Sequence, residues 1–237
     1  MALLTDPEAW LAFVTLVALE VVLGIDNIVF ISILADKLPQ ARRERIRRIG
    51  LLLAMVMRLA LLAILAWLVG LTAPLFELLG HGFSGRDLVL IAGGLFLIYK
   101  STTEIHEVVQ GGETHTAAAV RAAAAAILAQ IVVVDMVFSL DSIITAVGMV
   151  DDLRIMAAAV IASVALMMAF AGPIGRFISA RPTIKMLALA FLLMIGLVLV
   201  ADGLGVHVPK GYVYFAMAFS LLVEMLNLRV RRRKGPR

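Results

Sequence analysis

Residues 19–27 read LEVVLGIDN and residues 134–142 read VDMVFSLDS, and the likeness of these two stretches decides how the chain is built. Each sets a carboxylate, five further residues, an aspartate and a small polar residue in apolar surroundings. The residues are Glu20, Asp26 and Asn27 in the first stretch, and Asp135, Asp141 and Ser142 in the second. The correspondence resumes at GGLFLIYK, which ends at Lys100, and IGLVLVAD, which ends at Asp202. This is the mark of a three-helix unit used twice. With an odd number of spans per copy, the second copy enters the membrane from the opposite side, which is the inverted-repeat plan of many secondary transporters.

The surrounding composition requires a membrane. Of the 237 residues, 62% are hydrophobic and 16% charged, with a mean hydropathy of +1.04, whereas about a quarter of a soluble domain is charged. Apolar runs long enough to span lie near residues 10–34, 49–71, 87–104, 123–149, 154–171, 184–201 and 211–228,. The expected fold is therefore all-α, a polytopic membrane bundle of seven transmembrane helices forming one domain over 1–237. Repeat one covers about 8–106, repeat two about 121–209, the C-terminal helix about 211–228, and a basic tail 229–237. The opening MALLTDPEAW has no positive segment, and the apolar run behind it carries Glu20 and Asp26, so it reads as the first span and not as a cleaved signal,.

Basic residues give the orientation, because cytoplasmic loops are enriched in them. Lys37, Arg42, Arg43, Arg45, Arg47 and Arg48 follow the first span, Arg176, Arg181 and Lys185 the fifth, and Arg229, Arg231, Arg232, Arg233, Lys234 and Arg237 the seventh. With seven spans these fall on one side, opposite Arg86, Arg154 and Lys210. The N-terminus is thus expected outside and the C-terminus in the cytosol of a bacterial plasma membrane. The third connection, 105–121, is slightly acidic yet assigned to the cytosol; its His106, Glu107, Glu113 and His115 read as a solvated loop in preference to a metal site. The net charge of +4 and pI near 9.8 arise from these clusters, so no nucleic-acid partner is expected. Trp10, Trp67, Tyr212 and Tyr214 read as interfacial anchors, and the dispersed methionines as packing.

Four carboxylates at bilayer depth cost about 2.5 to 3.5 kcal/mol each on insertion scales, so residues there are seldom present for packing alone. Interhelical hydrogen bonding is the plainer reading, and it weighs most for Asn27 and Ser142. On a regular helix, positions seven apart lie nearly on one line and positions six apart differ by about 120°. Glu20 therefore stacks with Asn27, and Asp135 with Ser142. Asp26 and Asp141 flank those lines unless the helix unwinds, which Gly24 would permit in the first copy. The chain has no cysteine, and all four histidines fall in connections, so hard oxygen ligands would favour magnesium, calcium or manganese,. Crowded acids also hold protons when empty, which suggests exchange of protons for metal. Arg58, deep in the second span, could pair with the empty acids. Lys100, near Glu104, is as well explained as a snorkelling anchor, and Asp202 is its counterpart in the second copy.

LEVVLGIDN and VDMVFSLDS, together with IAGGLFLIYKSTTEIHE and GVHVPKGYVYFAMAFSLLVE, resemble the TerC family of integral membrane proteins over about residues 8–228. That family is associated by name with tellurium resistance, its members are linked to manganese export and to supplying metal to secreted enzymes, and it is similar to the LysE-type exporters. The resemblance carries the family's acidic membrane residues onto Glu20, Asp26, Asp135 and Asp141, with Asn27 and Ser142 beside them. The choice of Mn2+ comes from the resemblance, since the carboxylates alone do not select it. The expected function is export of a divalent metal ion from the cytosol, with no enzymatic step and no tightly bound cofactor. Two other classes compete. One is a non-transporting membrane scaffold in tellurite or metal stress. The other is an intramembrane aspartyl protease, disfavoured because each helix carries two acids and no GxGD sequence occurs.

Overall fold

The computed structural model describes residues 7–64, 74–78, 81–110, 117–147 and 152–233. Among them are seven helices: α1 (Pro7–Ala35), α2 (Gln40–Ala63), α3 (Gly85–Gln110), α4 (Ala117–Val147), α5 (Leu153–Ser179), α6 (Pro182–Gly203) and α7 (Lys210–Arg233). The helix boundaries follow local chemistry. Pro7 and Pro182 open their helices where the missing N–H costs nothing, and Arg181, ahead of Pro182, is extended,. The Asp152 side chain accepts the Arg154 N–H at 2.8 Å to cap α5,. At α3 the capping is reciprocal: the Ser84 N–H donates to Asp87 Oδ2 at 2.9 Å, and the Asp87 N–H donates to Ser84 Oγ at 3.2 Å,.

The structure departs from the sequence reading in two places. The fold was expected to be all-α, yet the connection before α3 holds an antiparallel hairpin, β1 (Pro74–Leu78) and β2 (His81–Ser84), with Phe76 stacked on Phe83. The aromatic cross-strand pair is the local reason for it. Nor does α1 unwind at Gly24. The helix is continuous there, and a Cβ at that position would collide with the Met167 side chain of α5. The glycine serves close helix packing and leaves the backbone regular.

Five helices are long and apolar enough to cross a membrane among the described residues: α1, α3, α5, α6 and residues 211–230 of α7. The basic first half of α2, together with Arg58, keeps that helix below the threshold, and in α4 the apolar stretch is Ala124–Leu140. α1 packs most extensively on α5, α2 on α4, and α3 on α6. The last contact is the tightest. A Cβ on Gly94 would lie 2.6 Å from the Gly196 carbonyl oxygen, and one on Gly196 would lie 2.9 Å from the Gly94 carbonyl oxygen. In a membrane, small residues at such crossings let backbones approach where hydrophobicity supplies no drive. Phe30, Ile31, Leu90, Leu97, Ile131 and Leu192 fill the centre.

Candidate metal-ion site and its charge partners

Glu20 on α1 and Asp135 on α4 meet at one guanidinium, that of Arg58 on α2. Arg58 Nη1 pairs with Glu20 Oε2, while Nη2 and Nε reach Asp135 Oδ1 at 3.0 and 3.2 Å. Asn27 Nδ2 donates to the same oxygen at 2.8 Å, and Ser139 Oγ donates to Asp135 Oδ2 at 3.2 Å. Glu20 is 4% exposed, Asn27 5%, and Arg58 and Asp135 2% each. A planar fork of donors is what lets one side chain serve acids on two helices. Two carboxyl groups thus share one cation.

The residues expected from sequence divide three ways. Glu20, Asn27 and Asp135 are brought together, with Arg58 as their partner. Ser142 stays buried but gives its hydroxyl to the Ser139 carbonyl at 3.2 Å, one turn along its own helix. The side chains of Asp26 and Asp141 lie outside the described residues. Ser139 is the addition. Its position four residues after Asp135 puts it on the same helix face, and that spacing could have pointed to it. Lys100 and Asp202 are engaged elsewhere: Lys100 Nζ lies 3.3 Å from Glu104 Oε1, and His207 Nδ1 lies 3.1 Å from Asp202 Oδ1. No group of three or more His, Asp or Glu able to hold a metal occurs among the described residues.

A second charge network closes one end of the bundle. In the turn between α1 and α2, Lys37 Nζ lies 2.6 Å from both Glu104 and Glu107 of α3. Asp36 accepts from the Ser179 hydroxyl of α5 at 2.6 Å and pairs with Arg43 at 3.4 Å, with Lys185 of α6 at 4.0 Å. Glu44 pairs with Arg176 at 3.2 Å. Burial opposes the Lys37 charge, but the hydrogen bonds and charges of Glu104 and Glu107 outweigh it and hold its pKa above the ordinary lysine value. The basic turns after α1 and α5 therefore meet at one end, and the acidic end of α3 joins them there. Glu107 is engaged in this ion pair, while Glu113 and His115 lie outside the described residues.

A bundle with five helices long and apolar enough to cross a membrane, in which acids of two helices pair with a buried arginine of a third, is the arrangement of a polytopic membrane protein. The sequence description "Integral membrane protein TerC family" matches residues 5–235, and the chain belongs to that family. It is 53% identical over 230 residues to a "UPF0053 protein" of Haemophilus influenzae, covering 97% of each chain. It is 53% identical over 235 residues to the "UPF0053 inner membrane protein YgdQ" of Escherichia coli K12, covering 99% of this chain and 98% of that one. To the Escherichia coli K12 "UPF0053 inner membrane protein YoaE" it is 50% identical over 234 residues, which is 98% of this chain and 45% of the relative. No solved structure matches the chain.

Proposed function

We propose that this protein exports a divalent metal ion, Mn2+, from the cytosol across the bacterial plasma membrane. The observation that carries the reading is the shared guanidinium: Arg58 bridges Glu20 and Asp135, which come from matching positions of the two halves. In this reading Arg58 is a tethered cation that fills the site between transport events. Arg58 neutralises one of the two carboxylates and a proton the other; a divalent ion that replaces the guanidinium balances both, and the proton leaves. Glu20, Asn27 and Asp135 would supply hard oxygen ligands, Asp26 and Asp141 would receive the ion on either side, and Ser142 would line the path. Protons displaced from the acids would couple the metal to the pH gradient. Metal delivered outside would then be at hand for exported enzymes.

The seven-span, inverted-repeat architecture belongs to the same proposal. A two-fold axis relating α1–α3 to α4–α6 would exchange the α1·α5 contact with the α4·α2 contact and place α3 against its own counterpart α6. The packing and the reciprocal approach of Gly94 and Gly196 support that arrangement. With the basic turns at the cytosolic face, the C-terminus is cytosolic and the N-terminus outside.

The test is Mn2+ flux in proteoliposomes, comparing the parent with Asp26→Asn and Asp141→Asn at matched reconstitution. Parent flux that both substitutions abolish establishes transport through the paired site, and proton exchange fails if that flux neither responds to a pH gradient nor moves protons. A folded parent that carries no cation under any gradient leaves a membrane scaffold as the function.

A further inference from the structure

At the end of the bundle where the basic turns meet, α7 leans on α6 and stands away from α5, leaving a cavity of about 400 Å³ between the three helices and α1. Val29, Ile174, Phe177, Ile184, Phe191 and Leu221 are among its walls, and the lining is apolar throughout. Its size falls within the range of about 300 to 1,000 Å³ typical of small-molecule sites. An apolar cavity of a membrane protein is open to acyl chains, so the question is whether anything at its mouth selects a headgroup.

Arg181 does so by position. Its guanidinium lies over the Phe177 ring, 4.1 Å from the centroid, so a wall of the cavity is also the platform of the cation. Nη1 donates to the Phe177 carbonyl at 3.2 Å, which leaves the other guanidinium N–H groups for a ligand,. Leu228 of α7 packs on the cluster that contains Ile178 and Ile184, both of which line the cavity, and the next residue, Arg229, is exposed. Among the described residues neither Arg181 nor Arg229 has a carboxylate partner. Arg176 and Lys185, by contrast, are paired with Glu44 and Asp36. An arginine without a carboxylate partner, stacked on the wall of an apolar cavity, with a second exposed one on the helix that borders it, matches a phosphate headgroup above an acyl chain,.

We propose that the cavity between α5, α6 and α7 binds an anionic phospholipid, with an acyl chain against Phe177, Ile184 and Leu221 and the headgroup phosphate on Arg181 and Arg229. The lipid would fill the gap that α7 leaves and fix that helix to the bundle. This site is separate from the Arg58 cluster and does not depend on what the protein transports.

The experiment is native mass spectrometry of the full chain in neutral detergent, titrated with phosphatidylglycerol and, in parallel, with phosphatidylcholine of the same acyl chains. Phosphatidylglycerol should be retained in preference. Its affinity should fall about five-fold for each of Arg181→Gln and Arg229→Gln, and binding should be lost in Ala188→Phe, which fills the cavity. The two arginine substitutions are on the surface and leave the fold intact, so they decide the matter even if Ala188→Phe does not fold. Equal retention of the two lipids, or retention unchanged by the arginine substitutions, would overturn the proposal. So would a parent dimer that Ala188→Phe separates, since a second copy would then be the occupant.

Discussion

Asn27 and Asp135, 108 residues apart in the chain, meet through a hydrogen bond of 2.8 Å from the amide nitrogen to Oδ1. That oxygen also receives Nε and Nη2 of Arg58, and the other carboxylate oxygen receives Ser139. A buried carboxylate with four donors is held in one geometry, and the neighbours that hold it can be removed one at a time.

Arg58→Gln strips Glu20 and Asp135 of their cation while both stay buried. Breaking a buried pair in this way costs about 3 to 5 kcal/mol, and thermal unfolding in detergent should report a loss of that order. Asp135→Asn in the same background should recover part of it, because the two changes act on one interaction and are not additive. Additive losses would show that Arg58 and Asp135 do not interact.

Asn27→Leu removes one donor to Asp135 and leaves the Arg58 pairings. The expected destabilisation is about 1 to 3 kcal/mol, as for a buried hydrogen bond to a charged group. Under the transport reading Mn2+ flux should fall as well, since Asn27 also supplies an oxygen. Flux equal to the parent at matched reconstitution would remove Asn27 from the ion's ligands.

Gly94→Ala places a methyl group against the Gly196 carbonyl oxygen and the Val200 side chain. Overpacking of this kind typically costs about 1 to 3 kcal/mol. Gly211→Ala, where nothing lies within 4 Å of the added Cβ, is the control and should leave the melting temperature unchanged or slightly raised,. Equal melting temperatures for the two would mean that α3 and α6 do not cross as closely as described.

Lys37 has a raised pKa, so its pairing with Glu104 and Glu107 is fully present below the unfolded lysine value of about 10.4 and is lost as pH rises through the higher folded value,. Between pH 7 and 9 the contribution should be flat. Lys37→Met should lower stability by about 1 kcal/mol across that window, the lysine being partly exposed, and the difference from the parent should shrink only in strong alkali. A difference that varies between pH 7 and 9 would place another titrating group in the network.

Much of the fold was legible because the signals are local: apolar runs, the prolines that open α1 and α6, and the paired acid motifs. Arg58 was also legible as a candidate, since a cation at mid-span needs a partner. What the sequence withheld depends on three-dimensional meeting. Nothing in LEVVLGIDN says that Asn27 will turn toward Asp135 when helical periodicity aligns it with Glu20. Ser139 stands where the first copy has Gly24, was given no role, and is a donor to Asp135. The acidic character of the third connection, which sat poorly with a cytosolic assignment, has a physical reason in Lys37, whose charge Glu104 and Glu107 share. The hairpin before α3 escaped notice because it is short and its strands have little meaning apart.

The pairing of Glu20 with Arg58 also bears on how such a chain is assembled. Glu20 and Arg58 lie on α1 and α2, which follow one another directly in the chain, so this ion pair closes over a short loop, whereas Asp135 joins from α4, 77 residues beyond Arg58,. If α1 and α2 insert as a pair, each brings a charge that hydrocarbon rejects at about 2.5 to 3.5 kcal/mol, and the two would offset each other before α4 is made. Chains arrested just after α2 should then integrate less efficiently when Glu20 is replaced by Lys than when it is kept, and equal integration would show that the two charges find each other only later. The arginine that joins three helices in the folded bundle would thus first serve the assembly of two.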